Sequence, residues 1–254
     1  DTYVVDNLGD TVTEDDSAGT DTVLASVDWQ LGDHTEHLTL TGSAALTGTG
    51  NALANQITGN SGDNALTGGA GADVIAGGSG SDTALYTAST QGVSVDLLSG
   101  RGTGGDAEGD TLSGIEHLSG SDFADRLSGN ADANSLRGGR GDDVLEGGAG
   151  ADALDGGDGS DTASYSRSTG GLVASLAVPS ANTGDAAGDS YTSIENLIGS
   201  TGADTLVGDA DANRLDGGAG DDLLLGGAGA DALTGGAGVD TANYAASAAA
   251  VVVD

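Results

Sequence analysis

Between Gly138 and Ser164 the chain repeats itself every nine residues, as GGRGDDVLE, GGAGADALD and GGDGSDTAS. Glycine holds places one, two and four, and aspartate holds place six. Val, Ala or Thr fills place seven, and Leu or Ala place eight. The unit opens again at Gly68, Gly77, Gly217, Gly226 and Gly235, which makes eight full matches to GGxGxD. Looser copies, with Asn for Asp or a lost glycine, extend the blocks backwards to Gly50 and Gly59, Gly120 and Gly129, and Gly199 and Gly208. A flexible Gly-rich linker has no reason to hold an acid and an aliphatic residue in register, so the period demands an ordered repeat.

Glycine tolerates left-handed backbone and close approach, so GGxG makes a sharp turn whose carbonyls can point inward. The following Asp sets a carboxylate beside them, and the next three residues make a short apolar-centred strand. Oxygen-only ligands suit a hard cation such as Ca²⁺. Strand and turn in alternation coil into a parallel solenoid, in which each unit buries its apolar residue against its neighbours.

These residues resemble the nonapeptide of the repeat-in-toxin (RTX) family of secreted bacterial proteins. The resemblance implies an all-β fold, a parallel β-roll or β-helix solenoid of nonapeptide blocks joined by β-rich spacers. It also implies that two nonapeptides form one coil, with turns alternating between two edges. A calcium ion then lies between the place-six residue of one unit and that of the unit two further on. Carried onto this chain, the pairs are Asn55 with Asp73 and Asn64 with Asp82 in the first block. In the second they are Asp125 with Asp143, Asn134 with Asp152, and Asp143 with Asp161. In the third they are Asp204 with Asp222, Asn213 with Asp231, and Asp222 with Asp240. Asn brings a neutral oxygen, so the Asn-containing sites are expected to bind more weakly.

The charge agrees. Of the 40 acids 34 are Asp, the basic side chains are six Arg, and the net charge is −34. Such a chain repels itself unless cations neutralise it, so it is expected to be unfolded without calcium and folded with it. Nucleic acid and anionic membrane are poor partners for this surface. Cysteine is absent, which removes disulfides and thiolate metal sites. No apolar run approaches the ~18 residues of a membrane helix. The resemblance implies a secreted or cell-surface protein that leaves by type I secretion.

In chain order, a β-rich N-terminal spacer covers 1–49, with nonapeptide blocks at 50–85, 120–164 and 199–243. Spacers fill 86–119 and 165–198, and a further one starts at 244–254. A larger period ties these together. Asp82, Asp161 and Asp240 are 79 residues apart, as are Tyr86, Tyr165 and Tyr244, and Ile115-Glu116 recurs as Ile194-Glu195. Residues 82–160 are therefore expected to superpose on 161–239. Asp1-Thr2-Tyr3 and Val251-Val252-Val253-Asp254 both fall inside this larger unit. The sequence thus reads as a slice of a longer protein, continued by the same polypeptide or by self-association.

No HExxH, GxSxG or Cys nucleophile is present, and the chain is expected not to be an enzyme. His34 and His37 read as residues of a solvated turn, and His117 becomes Asn196 one period on. Trp29 reads as packing at an end of the solenoid. Asp142 and Asp221, one place before the ligand Asp, are expected to face solvent. Asp106, Asp110, Asp185 and Asp189 recur in GDAxGD, which fits a further cation loop or an ordinary turn equally well. The function expected is a calcium-binding structural segment of an adhesin, matrix or surface-layer protein. The alternative is the non-catalytic secretion and folding module of an RTX metalloprotease, lipase or epimerase.

Overall fold

The computed structural model describes residues 1–15 and 19–245; most of the spacer read at 244–254 lies outside them. The fold is an all-β parallel solenoid. Its only helical elements among the described residues are three 3-10 turns, Gly105–Ala107, Pro179–Ala181 and Gly184–Ala186. The chain forms two compact units, Asp1–Leu127 and Ser128–Asp254.

In the N-terminal unit one row of parallel strands runs Thr2–Val5, Thr22–Ala25, His37–Leu40, Gln56–Thr58, Val74–Ala76 and Thr111–Ser113. A second row runs Trp29–Gln30, Thr47–Thr49, Ala65–Thr67, Thr83–Leu85 and His117–Ser119. Ile57 lies beside Ile75 and Leu66 beside Ala84, so neighbours in a row are two nonapeptides apart. Residues 1–49 already coil: Thr2, Thr22, His37 and Gln56 are successive partners, at steps that are not multiples of nine.

The C-terminal unit repeats the plan. Val144–Glu146, Thr162–Ser164, Asn196–Ile198, Arg214–Ala219 and Ala232–Ala237 stack in one row. Ser135–Arg140, Ala153–Asp158 and Ser190–Thr192 form a second. Val173–Ser175, Thr205–Val207, Leu223–Leu225 and Thr241–Ala242 form a third.

In the nonapeptides each strand points its place-eight side chain inward, because successive side chains of a strand alternate faces. Place eight therefore builds the core: Leu66, Ile75, Leu145, Leu154 and Leu224 are all buried. Burying each such side chain stabilises the fold by about 1.5–3 kcal/mol. Place seven stays outside, as Val74 does.

The two spacers do not fold alike, which corrects the expected superposition of 82–160 on 161–239. In 86–119, Ser94–Asp96 turns back on Arg101–Thr103 as an antiparallel hairpin, and Arg101 then faces Thr111. In 165–198 the place of the return strand is taken by the Pro179–Ala181 turn, with a single antiparallel bridge from Val173 to Thr183. Proline fixes φ at about −65° and has no N–H to give a ladder, which favours this turn over a return strand.

Candidate metal centre

Every expected pair that lies within one unit is brought together by the same hydrogen bond. The backbone N–H of the earlier place-six residue donates to Oδ1 of the Asp one coil on. Asn55 donates to Asp73 and Asn64 to Asp82 at 2.7 Å. Asn134 donates to Asp152, Asp143 to Asp161 and Asp204 to Asp222 at 2.8 Å. Asn213 to Asp231 and Asp222 to Asp240 are longer, at 3.1 Å. Asp125 and Asp143, the remaining expected pair, belong to different units.

The other carboxylate oxygen separates these residues into two kinds. Oδ2 of Asp73, Asp82, Asp152, Asp161 and Asp222 is buried with no hydrogen-bond donor. In contrast, the oxygens of Asn55, Asn64, Asn134 and Asn213 each accept a backbone N–H from place two of their own turn, given by Asn51, Asn60, Asn130 and Asp209. Asp125 and Asp204 are satisfied in the same way, by the N–H and hydroxyl of Ser121 and Ser200. Place two decides. Gly148 is left-handed at φ 99°, and its neighbour Asp152 keeps an oxygen without a donor; Asn130 caps Asn134 instead. The sequence carried this signal, in GG against GN, GS or GD, and reading place six alone missed it.

A buried carboxylate oxygen without a donor costs free energy, and a cation removes that cost. The surroundings fit one. A Cβ on Gly217 would strike Asp222 Oδ2 and come within 2.5 Å of the Gly235 carbonyl oxygen. Carboxylate and carbonyl oxygens thus converge on a space that only a missing side chain keeps open, and a hard cation takes that donor set.

Two spacer acids continue the same columns. Asp73 N–H donates to Asp110 Oδ1 at 2.8 Å, and Asp152 N–H to Asp189 Oδ1 at 2.9 Å. Their second oxygens are taken by tyrosine: Tyr86 hydroxyl donates to Asp110 Oδ2 at 3.0 Å and Tyr165 hydroxyl to Asp189 Oδ2 at 2.7 Å. In GDAxGD, Gly105–Ala107 and Gly184–Ala186 form 3-10 turns, and the closing Asp of each loop is held by a Tyr hydroxyl.

Burial pushes these carboxyls up. Asp73 rises to about 7, by loss of water first, with the charges of Asp110 and Asp106 adding to it against the Asn55 hydrogen bond. Asp152 rises to about 6 for the same reason, with Asp189 adding. Asp82, Asp125, Asp161 and Asp222 are also raised, chiefly by burial. A cation facing these carboxylates would act the other way and lower them.

Asp142 and Asp221 are exposed, and each accepts a backbone N–H from the next coil, of Ser160 and Val239. Trp29 is half-buried on an end strand of its sheet. His117 meets Ser81 hydroxyl at 2.6 Å, and Asn196 donates to Ser160 hydroxyl at 3.1 Å. His117 and Asn196 thus make matching contacts one period apart. Outside the nonapeptides, Asp1, Glu14 and Asp21 bring carboxylate oxygens within 4.8 Å of one another.

The model of the RTX calcium-binding nonapeptide repeat matches residues 49–84, 110–145, 128–163, 192–224 and 207–242, together more than half of the chain. The chain belongs to the RTX family. RTX repeats bind calcium, and the donor-free oxygens above lie in the RTX turns themselves. Among curated proteins, none matches the chain. No helix of the described residues is long and apolar enough to cross a membrane.

Proposed function

We propose that this RTX chain is a calcium-dependent structural segment of a large secreted or cell-surface protein of the adhesin, matrix or surface-layer type, without catalysis of its own. The observation that carries the calcium reading is the row of buried Asp oxygens without donors, repeated turn after turn. In this reading Asp73, Asp82, Asp143, Asp152, Asp161, Asp222, Asp231 and Asp240 supply charge to the ions. Asn55, Asn64, Asp125, Asn134, Asp204 and Asn213 complete the turns as weaker partners, because their oxygens already accept hydrogen bonds. The structural role is supported by the tandem plan of spacer and block and by a sequence without an HExxH, GxSxG or Cys nucleophile. Folding coupled to calcium suits a protein that must stay open during export and close outside, where calcium is millimolar.

Calorimetric titration of the chain with Ca²⁺ and separately with Mg²⁺ tests it. Several calcium ions per chain are expected, with weak binding of magnesium, which demands tighter octahedral geometry and keeps its waters. Equal response to both ions would reduce the effect to charge screening and contradict the reading.

A further inference from the structure

Three short turns outside the GGxGxD units share a geometry. In each, a left-handed residue is followed by one residue and then Glu: His34 (φ 63°) before Glu36, Gly114 (φ 58°) before Glu116, and Ser193 (φ 49°) before Glu195. His34 and Ser193 are the positive-φ non-glycine residues among those described. Such a backbone is costly for a side-chain-bearing residue, and it persists where the surrounding structure requires it.

What each turn does is deliver a glutamate to the place where the next nonapeptide would have set its Asp. The N–H of Asp21 donates to Glu36 Oε2 at 2.9 Å, that of Asp82 to Glu116 Oε2 at 2.8 Å, and that of Asp161 to Glu195 Oε2 at 2.7 Å. The residue after each Glu closes the rung: His37, His117 and Asn196 donate their N–H to the carbonyls of Asp21, Asp82 and Asp161 at 3.0, 3.0 and 2.9 Å. Asp21, Asp82 and Asp161 are each 0 % exposed, and Oδ2 of each is without a donor. At two of the three, a carbonyl also converges. A Cβ on Gly77 would collide with the Gly114 carbonyl and stand 2.6 Å from Asp82 Oδ2. One on Gly156 would collide with the Ser193 carbonyl and stand 2.5 Å from Asp161 Oδ2. The left-handed residue is thus the source of that carbonyl, which gives the strained backbone its purpose.

We propose that Asp82 with Glu116 and the Gly114 carbonyl, and Asp161 with Glu195 and the Ser193 carbonyl, each hold a further divalent cation of the calcium class. These sites lie between a nonapeptide and a spacer and are built by a left-handed-x-Glu turn in place of a second GGxGxD. They rest on the reading of the chain as a calcium binder and add to it. Two carboxylates and a carbonyl match the charge and hardness of the ion. Where Tyr86 and Tyr165 satisfy the equivalent oxygens of Asp110 and Asp189, no such site forms.

The test is calcium stoichiometry by equilibrium dialysis of the unmodified chain, of Glu116→Gln/Glu195→Gln, and of Asp132→Asn/Asp211→Asn. The last pair removes the same charge at exposed positions. The glutamate variant is expected to bind two calcium ions fewer than the parent, and the exposed-Asp variant the same number as the parent. A glutamate variant that binds as many as the parent would overturn the proposal while leaving the nonapeptide reading intact. A parent that binds none would overturn both. If the glutamate variant does not fold, crystals of the unmodified chain grown in calcium decide the matter. Ions about 2.3–2.6 Å from both Asp82 Oδ2 and Glu116, and from both Asp161 Oδ2 and Glu195, are expected; ions confined to nonapeptide pairs would overturn the proposal.

Discussion

Asn134 and Asp152 stand one coil apart, and the N–H of Asn134 donates to Asp152 Oδ1 at 2.8 Å while Asp152 Oδ2 is buried without a donor. The first contact fixes where the carboxylate sits. The second condition leaves a negative oxygen that the protein itself does not satisfy. This division of labour within one carboxylate recurs at Asp73, Asp82, Asp161 and Asp222.

Position along the turn should outweigh charge count. Asp222 is buried and bonded to both coils around it, through Asp204 and Asp240, whereas Asp221 is exposed. Asp222→Ala should raise the calcium concentration needed for folding at least about tenfold, the lower end of losses seen on removing groups that merely support a metal. Asp221→Ala should shift it little. Calcium titrations of the two variants followed by circular dichroism compare them, and equal losses would mean that net charge governs binding.

The space beside place one should tolerate nothing larger than hydrogen. Gly217→Ala would put a methyl against Asp222 Oδ2 and the Gly235 carbonyl, whereas a Cβ on Gly170 meets nothing within 4 Å. In saturating calcium, Gly217→Ala should cost about 1–3 kcal/mol of stability, as overpacking does, and Gly170→Ala about nothing. Urea unfolding of both variants at fixed calcium measures the difference.

Much of this arrangement was legible in the sequence. The nine-residue period carried the solenoid, because a solenoid stacks like on like, and the RTX resemblance implied the two-unit coil and the place-six pairing. What escaped was set by single residues off the motif. Gly148 or Asn130 at place two decides whether a carboxamide or carboxylate oxygen is already satisfied. Pro179 replaces a strand by a turn in one spacer alone. Glu116 reaches its rung from a shorter turn with a longer side chain, so a search for Asp at a spacing of nine passes over it.

Acid should do part of the work of calcium. The folded-state pKa values of Asp73 and Asp152, at about 7 and about 6, lie above the ~3.9 of an unfolded Asp. A raised folded pKa gives stability that is full below the unfolded value and is lost as pH rises through the folded one. In chelator, the chain should therefore gain β-structure as pH falls from about 7 towards 4. Far-ultraviolet circular dichroism against pH checks this, and a calcium-free chain that loses structure on acidification would contradict it.

The core should behave like that of any packed solenoid. Leu145 is fully buried and Val74 is 46 % exposed. Leu145→Ala should cost about 2–5 kcal/mol through the lost contacts and the cavity left behind, and Val74→Ala within about 0.5 kcal/mol. Denaturation in saturating calcium provides both values.

The most direct measurement is the circular dichroism and hydrodynamic radius of the unmodified chain in chelator at neutral pH and then in millimolar calcium. Repulsion within a chain of net charge −34, together with buried Asp oxygens that have no donor, should keep the calcium-free chain expanded and largely without β-structure. Calcium should compact it and produce the β spectrum in one cooperative step. A compact, β-rich chain that is unchanged by chelator would contradict the account.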